Sequence, residues 1–249
     1  MAAPKVKVSV VVPVYNEAKI LPTAAAELVE TLETSGWDYE VIFAENGSSD
    51  DTNQILEALT RASPRLHALH ETEPNYGRAL KHAILEARGD YVICEEIDLL
   101  NDEFHQNAMK LLLAKEAEMV VGSKAAKGAN DERGFVRQKG TVVLNGLLRL
   151  SLGYKGTDTH GLKAFRREPL LPVARACIVE RDLFASEFVI RAYQMGVDVK
   201  EIPVSIREKR RPSVHLFRRV PKVLSLLGRL VWVMRVKGAK GSKKKPGKK

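Results

Sequence analysis

Cysteine is almost absent: Cys94 and Cys177 are the two in 249 residues, and neither belongs to a CxxC or Cys/His cluster. This excludes a disulfide framework, a zinc site of the usual spacing and a thioredoxin-like motif, and a reducing, cytosolic compartment is expected. Neither GxGxxG nor GxxxxGKS/T occurs among the 17 glycines, so the dinucleotide-fingerprint and P-loop readings lose their main support. Long apolar runs are missing too. The most apolar stretch, residues 223–234, is interrupted by Arg229 and falls short of the roughly 20 residues that cross a bilayer. The run 8–14 contains Pro13 and precedes no cleavage-site pattern, so it reads as a strand rather than a signal peptide. Acids are nearly absent from one end: residues 205–249 hold 16 Lys/Arg against Glu208 alone, whereas 1–204 hold 24 bases against 30 acids. The net charge of +9 is therefore local. A nucleic-acid-binding fold would spread positive charge over a face with interleaved aromatics, so no nucleic-acid partner is expected, and an anionic surface or ligand near the basic end is.

What is present is an ordinary soluble composition, 45% hydrophobic and 29% charged, with a clear order of periods. Residues 6–13, 39–44 and 91–95 are β-branched or apolar runs, the signature of strands buried on both faces. Helical patterns at 17–33, 50–61 and 77–88 alternate with these and with a strand at 65–70. Right-handed crossovers and a mainly parallel sheet with flanking helices follow, an α/β layer fold. Beyond it the pattern gives a helix at 102–115, a strand at 119–123, a loop at 124–134, a helix at 135–152, a further βα stretch, a helix at 186–195 and a strand at 197–207.

The basic end divides in two. From Pro221, Lys222, Ser225 and Arg229 fall on one helical face and Val223, Leu227, Leu230 and Met234 on the other. An amphipathic basic helix over 213–236 is expected after a catalytic domain over 1–212, either lying on an anionic membrane or packing its apolar face on the domain. Residues 237–249 hold seven lysines and no apolar residue larger than Ala239, and disorder is expected there.

Three acid-bearing turns, Asn16-Glu17, Glu45-Asn46 and Glu96-Ile97-Asp98, each follow the carboxyl end of an expected parallel strand. In an open α/β sheet those ends line one crevice, where ligands bind. Carboxylates converging there repel one another unless a divalent cation or a ligand rich in N–H and O–H groups offsets them, which points to a metal–nucleotide site. Taken singly, Glu17 also reads as a first-turn helix acid and residues 48–51 as an N-cap cluster. Cys94 reads as core, Gly77 and Gly89 as turn glycines, and His160 as either packing or substrate contact.

The stretch VVPVYNE (residues 11–17), the turn ENGSSDDT (45–52), the segment NYGRALKHAILEARGDYV (75–92) and the turn EID (96–98) resemble family 2 glycosyltransferases of the GT-A fold in order and spacing. GSK (122–124), DTHGLKAFRR (158–167) and GVDVKEIPV (196–204) are similar to the subgroup containing dolichyl-phosphate mannose and glucose synthases. The resemblance implies that Pro13, Tyr15 and Glu17 surround a nucleotide and that the turn at Glu45 and Asn46 meets its base. It implies that Glu96 and Asp98, standing where the family has Asp-x-Asp, hold Mg²⁺ or Mn²⁺ against the donor diphosphate. Lys124 and Arg137 match positions that bind an acceptor phosphate, and Arg210 or Arg211 a basic loop that closes on the donor. A phosphate acceptor is already an anion and needs no strong base; a hydroxyl acceptor would need one, for which Asp158 and Glu187 are the candidates.

The expectation is thus an inverting transferase moving a hexose from a nucleoside-diphosphate sugar (GDP-mannose or UDP-glucose type) to a polyprenyl phosphate, peripheral on the cytosolic face of a membrane. Its rivals are a transferase with a saccharide or small-molecule hydroxyl acceptor and a non-catalytic, membrane-associated nucleotide-sugar binder. In the turns 45–48 and 96–98 this chain departs from the family's usual Asp-Asp-Gly-Ser and Asp-x-Asp.

Overall fold

Side-chain alternation along two strands divides the core. In β1 (Lys7–Val14), Val11 faces one apolar cluster while Val8, Val10, Val12 and Val14 face another. In β2 (Asp38–Glu45), Ile42 and Ala44 join the first cluster, and Tyr39, Val41 and Phe43 the second. A strand that is apolar on both faces must be covered on both, so helices flank the sheet on either side. A computed structural model describes residues 6–126, 128, 135–179, 183–205, 225 and 227–237.

The remaining elements are α1 (Leu21–Thr34), α2 (Thr52–Ala62), β3 (Leu66–His70), α3 (Tyr76–Glu86), β4 (Tyr91–Cys94), α4 (Asp102–Leu113), β5 (Met119–Ser123), α5 (Phe135–Leu152), β6 (Lys163–Arg166), α6 (Arg167–Ala176), α7 (Phe184–Gln194) and β7 (Val199–Pro203). Among the described residues the sheet has seven strands in the order β3-β2-β1-β4-β6-β5-β7. Strands β1 to β4 run parallel, as do β5 and β7, while β6 runs antiparallel to both β4 and β5. Chain order reverses between β1 and β4, the switch point outside which an open α/β sheet forms its crevice.

Two boundaries differ from the sequence reading by four residues, the others by two or fewer. Helix α1 begins at Leu21, with Pro22 in its first turn, because residues 17–20 close a separate turn in which the Glu17 carbonyl accepts from Ile20 and Leu21. Glu17 is thus not a helix-dipole acid. Strand β7 ends at Pro203, where a proline can still pair at an edge.

The described part of the basic end is helical and closes with a π-helical turn (Val233–Lys237). Its apolar face packs on the domain: Leu227, Leu230, Val233 and Met234 are buried in the cluster that also contains Leu148 and Leu152 of α5. Of the two readings left open by the pattern, packing on the domain is the one realised, because those four side chains complete a core that α5 leaves uncovered.

Candidate active site

The first two strand ends are tied to each other before any ligand arrives. Val14 is in register with Glu45, so Tyr15 and Asn46 leave the sheet at one level. Asn16 takes a left-handed conformation, φ 54°, which its short polar side chain tolerates. Its backbone N–H donates to Ser48 Oγ at 3.0 Å, and its Oδ1 accepts from the Ser49 N–H at 2.8 Å. The Glu17 N–H donates to Thr52 Oγ1 at 2.9 Å. Around this rim Pro13 is buried, Glu17 half-buried, and Tyr15 is 45% exposed. A flat, uncovered tyrosine ring above a fixed polar turn is suited to stack on a planar ligand.

Glu45 and Asn46 spend their side chains mostly on the protein. The buried Glu45 carboxylate accepts from the Ser48 N–H of its own turn and lies 3.5 Å from His70 Nδ1. Asn46 Oδ1 accepts from the Asn75 N–H, which leaves the amide nitrogen as the group it can offer outward. Gly47, at φ 69°, is required twice over: a Cβ there would also come within 2.9 Å of Glu73 and Pro74 backbone atoms.

At the end of β4, two successive acids have different partners. Glu95 turns inward to a buried pair with His105 Nε2 from α4, whose Nδ1 has no partner. Glu96 turns toward the crevice and accepts from the Tyr76 hydroxyl at 2.9 Å. Glu96, Asp98, Leu99, Lys124, His160 and Leu162 line one cavity of about 170 Å³. Burial raises the Glu96 pKa and the Asp98 charge adds to the rise, while the Tyr76 hydrogen bond, Lys163 and Lys124 oppose it. Two oxygen-donor acids lining one cavity, with the Asp98 charge opposing ionisation of Glu96, fit a hard divalent cation, which would relieve that repulsion. Among the described residues no three His, Cys, Asp or Glu side chains are gathered as a complete metal-holding group, so the protein would supply part of the coordination and the ligand the rest.

The opposite wall is set by the 156–163 segment. Gly161 lies against Gly122, where a Cβ would meet the Gly122 carbonyl oxygen at 1.8 Å; no other residue fits. Glu201 of β7 accepts from the Thr157 backbone N–H, at 2.8 and 3.0 Å to its two oxygens, and from its hydroxyl. Asp158, buried, accepts from the His160 N–H at 2.9 Å and from the Lys124 N–H at 3.3 Å. It therefore orients two cavity residues rather than standing free as a base. Lys163, on β6 opposite Cys94, is buried with its Nζ donating to the Gly161 carbonyl at 2.7 Å. Burial lowers its pKa, and the nearby Cys94, Asp158 and Glu96 act in the other direction.

Glu187 is corrected. It is fully buried, and its carboxylate accepts from the Ile178 and Val179 N–H groups and, at 2.7 Å, from Arg191 Nε. That is a structural cap of the loop after α6, with no oxygen left for a proton transfer. Arg210 and Arg211 lie outside the described residues, and of Arg137 only its place in the first turn of α5 is described.

Sequence reasoning missed Tyr76 and Lys163 and left His160 undecided. A lysine opening the short strand KAFR, directly before Ala164 and Phe165, was the available signal for Lys163. For Tyr76 no local pattern exists, since its partner is 20 positions away.

Comparison with known proteins gives a consistent set of likenesses. The sequence model of Glycosyl transferase family 2 matches residues 9–171. Glycosyltransferase AglD of Haloferax volcanii is 31% identical over 237 residues, 93% of this chain and 38% of the relative. Dolichyl-phosphate beta-glucosyltransferase ALG5A of Trichomonas vaginalis is 25% identical over 214 residues, covering 82% and 66%. The chain thus spans about two fifths and two thirds of the lengths of these two relatives. Among solved structures, glucosyl-3-phosphoglycerate synthase from Mycobacterium tuberculosis in complex with Mn²⁺, uridine diphosphate and phosphoglyceric acid superposes with a TM-score of 0.64 at 21% identity, covering 91% of this chain and 78% of that one. The same enzyme with Mg²⁺ and uridine diphosphate gives 0.62 at 20% identity, covering 90% and 80%. At that identity the likeness establishes a GT-A-like fold.

Proposed function

From the premise that the chain belongs to glycosyl transferase family 2, we propose that it transfers a hexose, with inversion, from a nucleoside-diphosphate sugar to a polyprenyl phosphate. The observation that carries this reading is the shared cavity, in which the acids Glu96 and Asp98 face Lys124 and His160 at the switch point of the sheet. In it the nucleotide lies along the rim of Pro13, Tyr15, Glu17 and Asn46, and Glu96 and Asp98 hold Mg²⁺ or Mn²⁺ beside the diphosphate. A bound divalent cation neutralises charge that develops on the departing diphosphate. Lys124 and Arg137 bind the acceptor phosphate, and Arg210 and Arg211 close on the donor.

The phosphate acceptor is favoured over a hydroxyl by the state of the buried acids. A hydroxyl must lose its proton as it attacks, whereas a phosphate oxygen is already anionic and needs only alignment with the sugar's C1. Asp158 and Glu187, the acids available for such a base, are both engaged by backbone N–H groups. The named relative ALG5A, a dolichyl-phosphate beta-glucosyltransferase, lends the same choice of acceptor further support. A peripheral seat on an anionic membrane would bring a lipid acceptor to the crevice. Among the described residues no helix is long and apolar enough to cross a membrane.

Purified full-length protein incubated with UDP-glucose or GDP-mannose, Mn²⁺ and a polyprenyl phosphate tests this directly. Lipid-linked sugar should form, and should vanish with EDTA or when the lipid phosphate is replaced by the corresponding polyprenol. Transfer to a free saccharide at equal rate would move the assignment to a hydroxyl acceptor, and neither transfer nor hydrolysis with any donor would leave a nucleotide-sugar binder. Within the phosphate reading, Arg137→Ala should raise the acceptor KM at least about tenfold while donor binding without acceptor stays within twofold, as the loss of one charge-assisted phosphate contact requires.

A further inference from the structure

Glu96 is a long side chain in a place that needs a short, fixed one. Each added torsion of a ligating side chain must be ordered when the ligand arrives, so a glutamate holds a cation well only if something else holds the glutamate.

The phenol of Tyr76 is placed to do this. Tyr76 opens α3, and Asn75 caps that helix by accepting from the Arg78 N–H at 3.1 Å. The Asn75 N–H in turn donates to Asn46 at the end of β2, and the preceding turn is pressed against Gly47 so closely that no Cβ could intervene. The start of α3 is therefore fixed to the end of β2 by both a hydrogen bond and steric contact. From that anchored point the Tyr76 hydroxyl reaches across to the end of β4 and donates to Glu96 Oε1 at 2.9 Å. One carboxylate oxygen is thereby held and Oε2 is left to act as a donor.

We propose that Tyr76 is a positioning residue for the divalent cation: its hydroxyl, anchored through Asn75 and Asn46, fixes Glu96 so that the longer acid ligates the cation together with Asp98. The proposal rests on the reading of Glu96 and Asp98 as cation ligands. It assigns Tyr76 no contact with the substrate and no proton transfer. It also makes the link between strand ends specific to a glutamate, because an aspartate at 96 would stop one methylene short of the phenol.

The test is a titration of the full-length protein with Mn²⁺, alone and with inorganic diphosphate, reading free Mn²⁺ by electron paramagnetic resonance. Tyr76→Phe removes only the hydroxyl and should weaken Mn²⁺ binding by about tenfold or more, the usual scale for an outer partner of a metal ligand. Its melting temperature in EDTA and its far-ultraviolet circular dichroism should match the parent, which separates positioning from folding. Glu96→Asp should lose a similar factor, and adding Tyr76→Phe to it should cost nothing further, since the bond is already gone. Unchanged Mn²⁺ affinity in Tyr76→Phe would overturn the proposal, as would independent, multiplying losses in the double variant. Asp98→Asn separates the two levels of the argument. If it weakens Mn²⁺ binding while Tyr76→Phe does not, only the role of Tyr76 falls; if neither changes it, or the parent protein binds no Mn²⁺, the cation site falls with it.

Discussion

Glu187 and Glu96 are both acids that burial should penalise, yet their partners give them opposite uses. Glu187 is satisfied on every side by two backbone N–H groups and Arg191, so its charge belongs to the fold. Glu187→Gln should leave Arg191, 12% exposed, without its counter-charge and cost about 3 kcal/mol of stability, the scale for breaking a buried pair. Chemical denaturation checks this, and the metal-dependent turnover of the folded fraction should be unchanged. Asp98 is the reverse case. It lines the cavity, and Asp98→Asn should lower kcat/KM in saturating Mn²⁺ by at least about 100-fold, the loss expected from one electrostatic stabiliser, with little change in melting temperature. Whether a carboxylate is structural or chemical was legible only in part from sequence. Glu96 and Asp98 stood out because they follow an apolar strand directly. Asp158 and Glu187 looked equivalent, because most of the backbone amides that claim them, that of Lys124 for Asp158 and those of Ile178 and Val179 for Glu187, come from residues that the folded chain brings alongside.

The elements of the first hundred residues were readable because β1, β2 and β4 each contain an apolar run and each helix carries its own face. Strand β6 was legible only as part of a βα stretch without bounds, because it is four residues long and begins with a lysine, which is buried near Cys94, Asp158 and Glu96. Its antiparallel direction is a tertiary choice that no period encodes. The C-terminal helix is the instructive intermediate. Periodicity identifies an apolar face, Leu227, Leu230 and Met234, but says nothing of what covers it; here the cover is the core shared with α5 and α7. Leu230 is fully buried, so Leu230→Ala should destabilise the whole domain by about 2 to 5 kcal/mol, as for other large-to-small core changes. A helix lying loosely on the surface would give less than about 0.5 kcal/mol. Urea unfolding distinguishes the two outcomes, and a single cooperative transition with an unchanged m-value is expected.

At the scale of the whole molecule, charge and apolar surface are handled separately. The first 204 residues are net acidic and the last 45 strongly basic, while the C-terminal helix has placed its largest apolar side chains inside. What its described part leaves outward is Ser225, Gly228, Arg229, Arg235 and the half-exposed Trp232. Attachment to an anionic bilayer would then be mainly electrostatic, with an interfacial tryptophan and little inserted hydrocarbon. Each basic residue near such a surface contributes about 1 kcal/mol, and that attraction fades within a Debye length. Residues 238–249 carry six of the lysines and no apolar residue larger than Ala239, so their removal should leave the melting temperature unchanged. It should also lower the fraction of protein that floats with phosphatidylserine-containing vesicles at 50 mM salt, and make the remaining binding less sensitive to 500 mM salt. Neutral phosphatidylcholine vesicles should bind full-length and shortened protein equally weakly. Flotation that persists in high salt, or on neutral vesicles, would mean that inserted apolar surface holds the protein, and some face other than the buried one of the C-terminal helix would have to supply it.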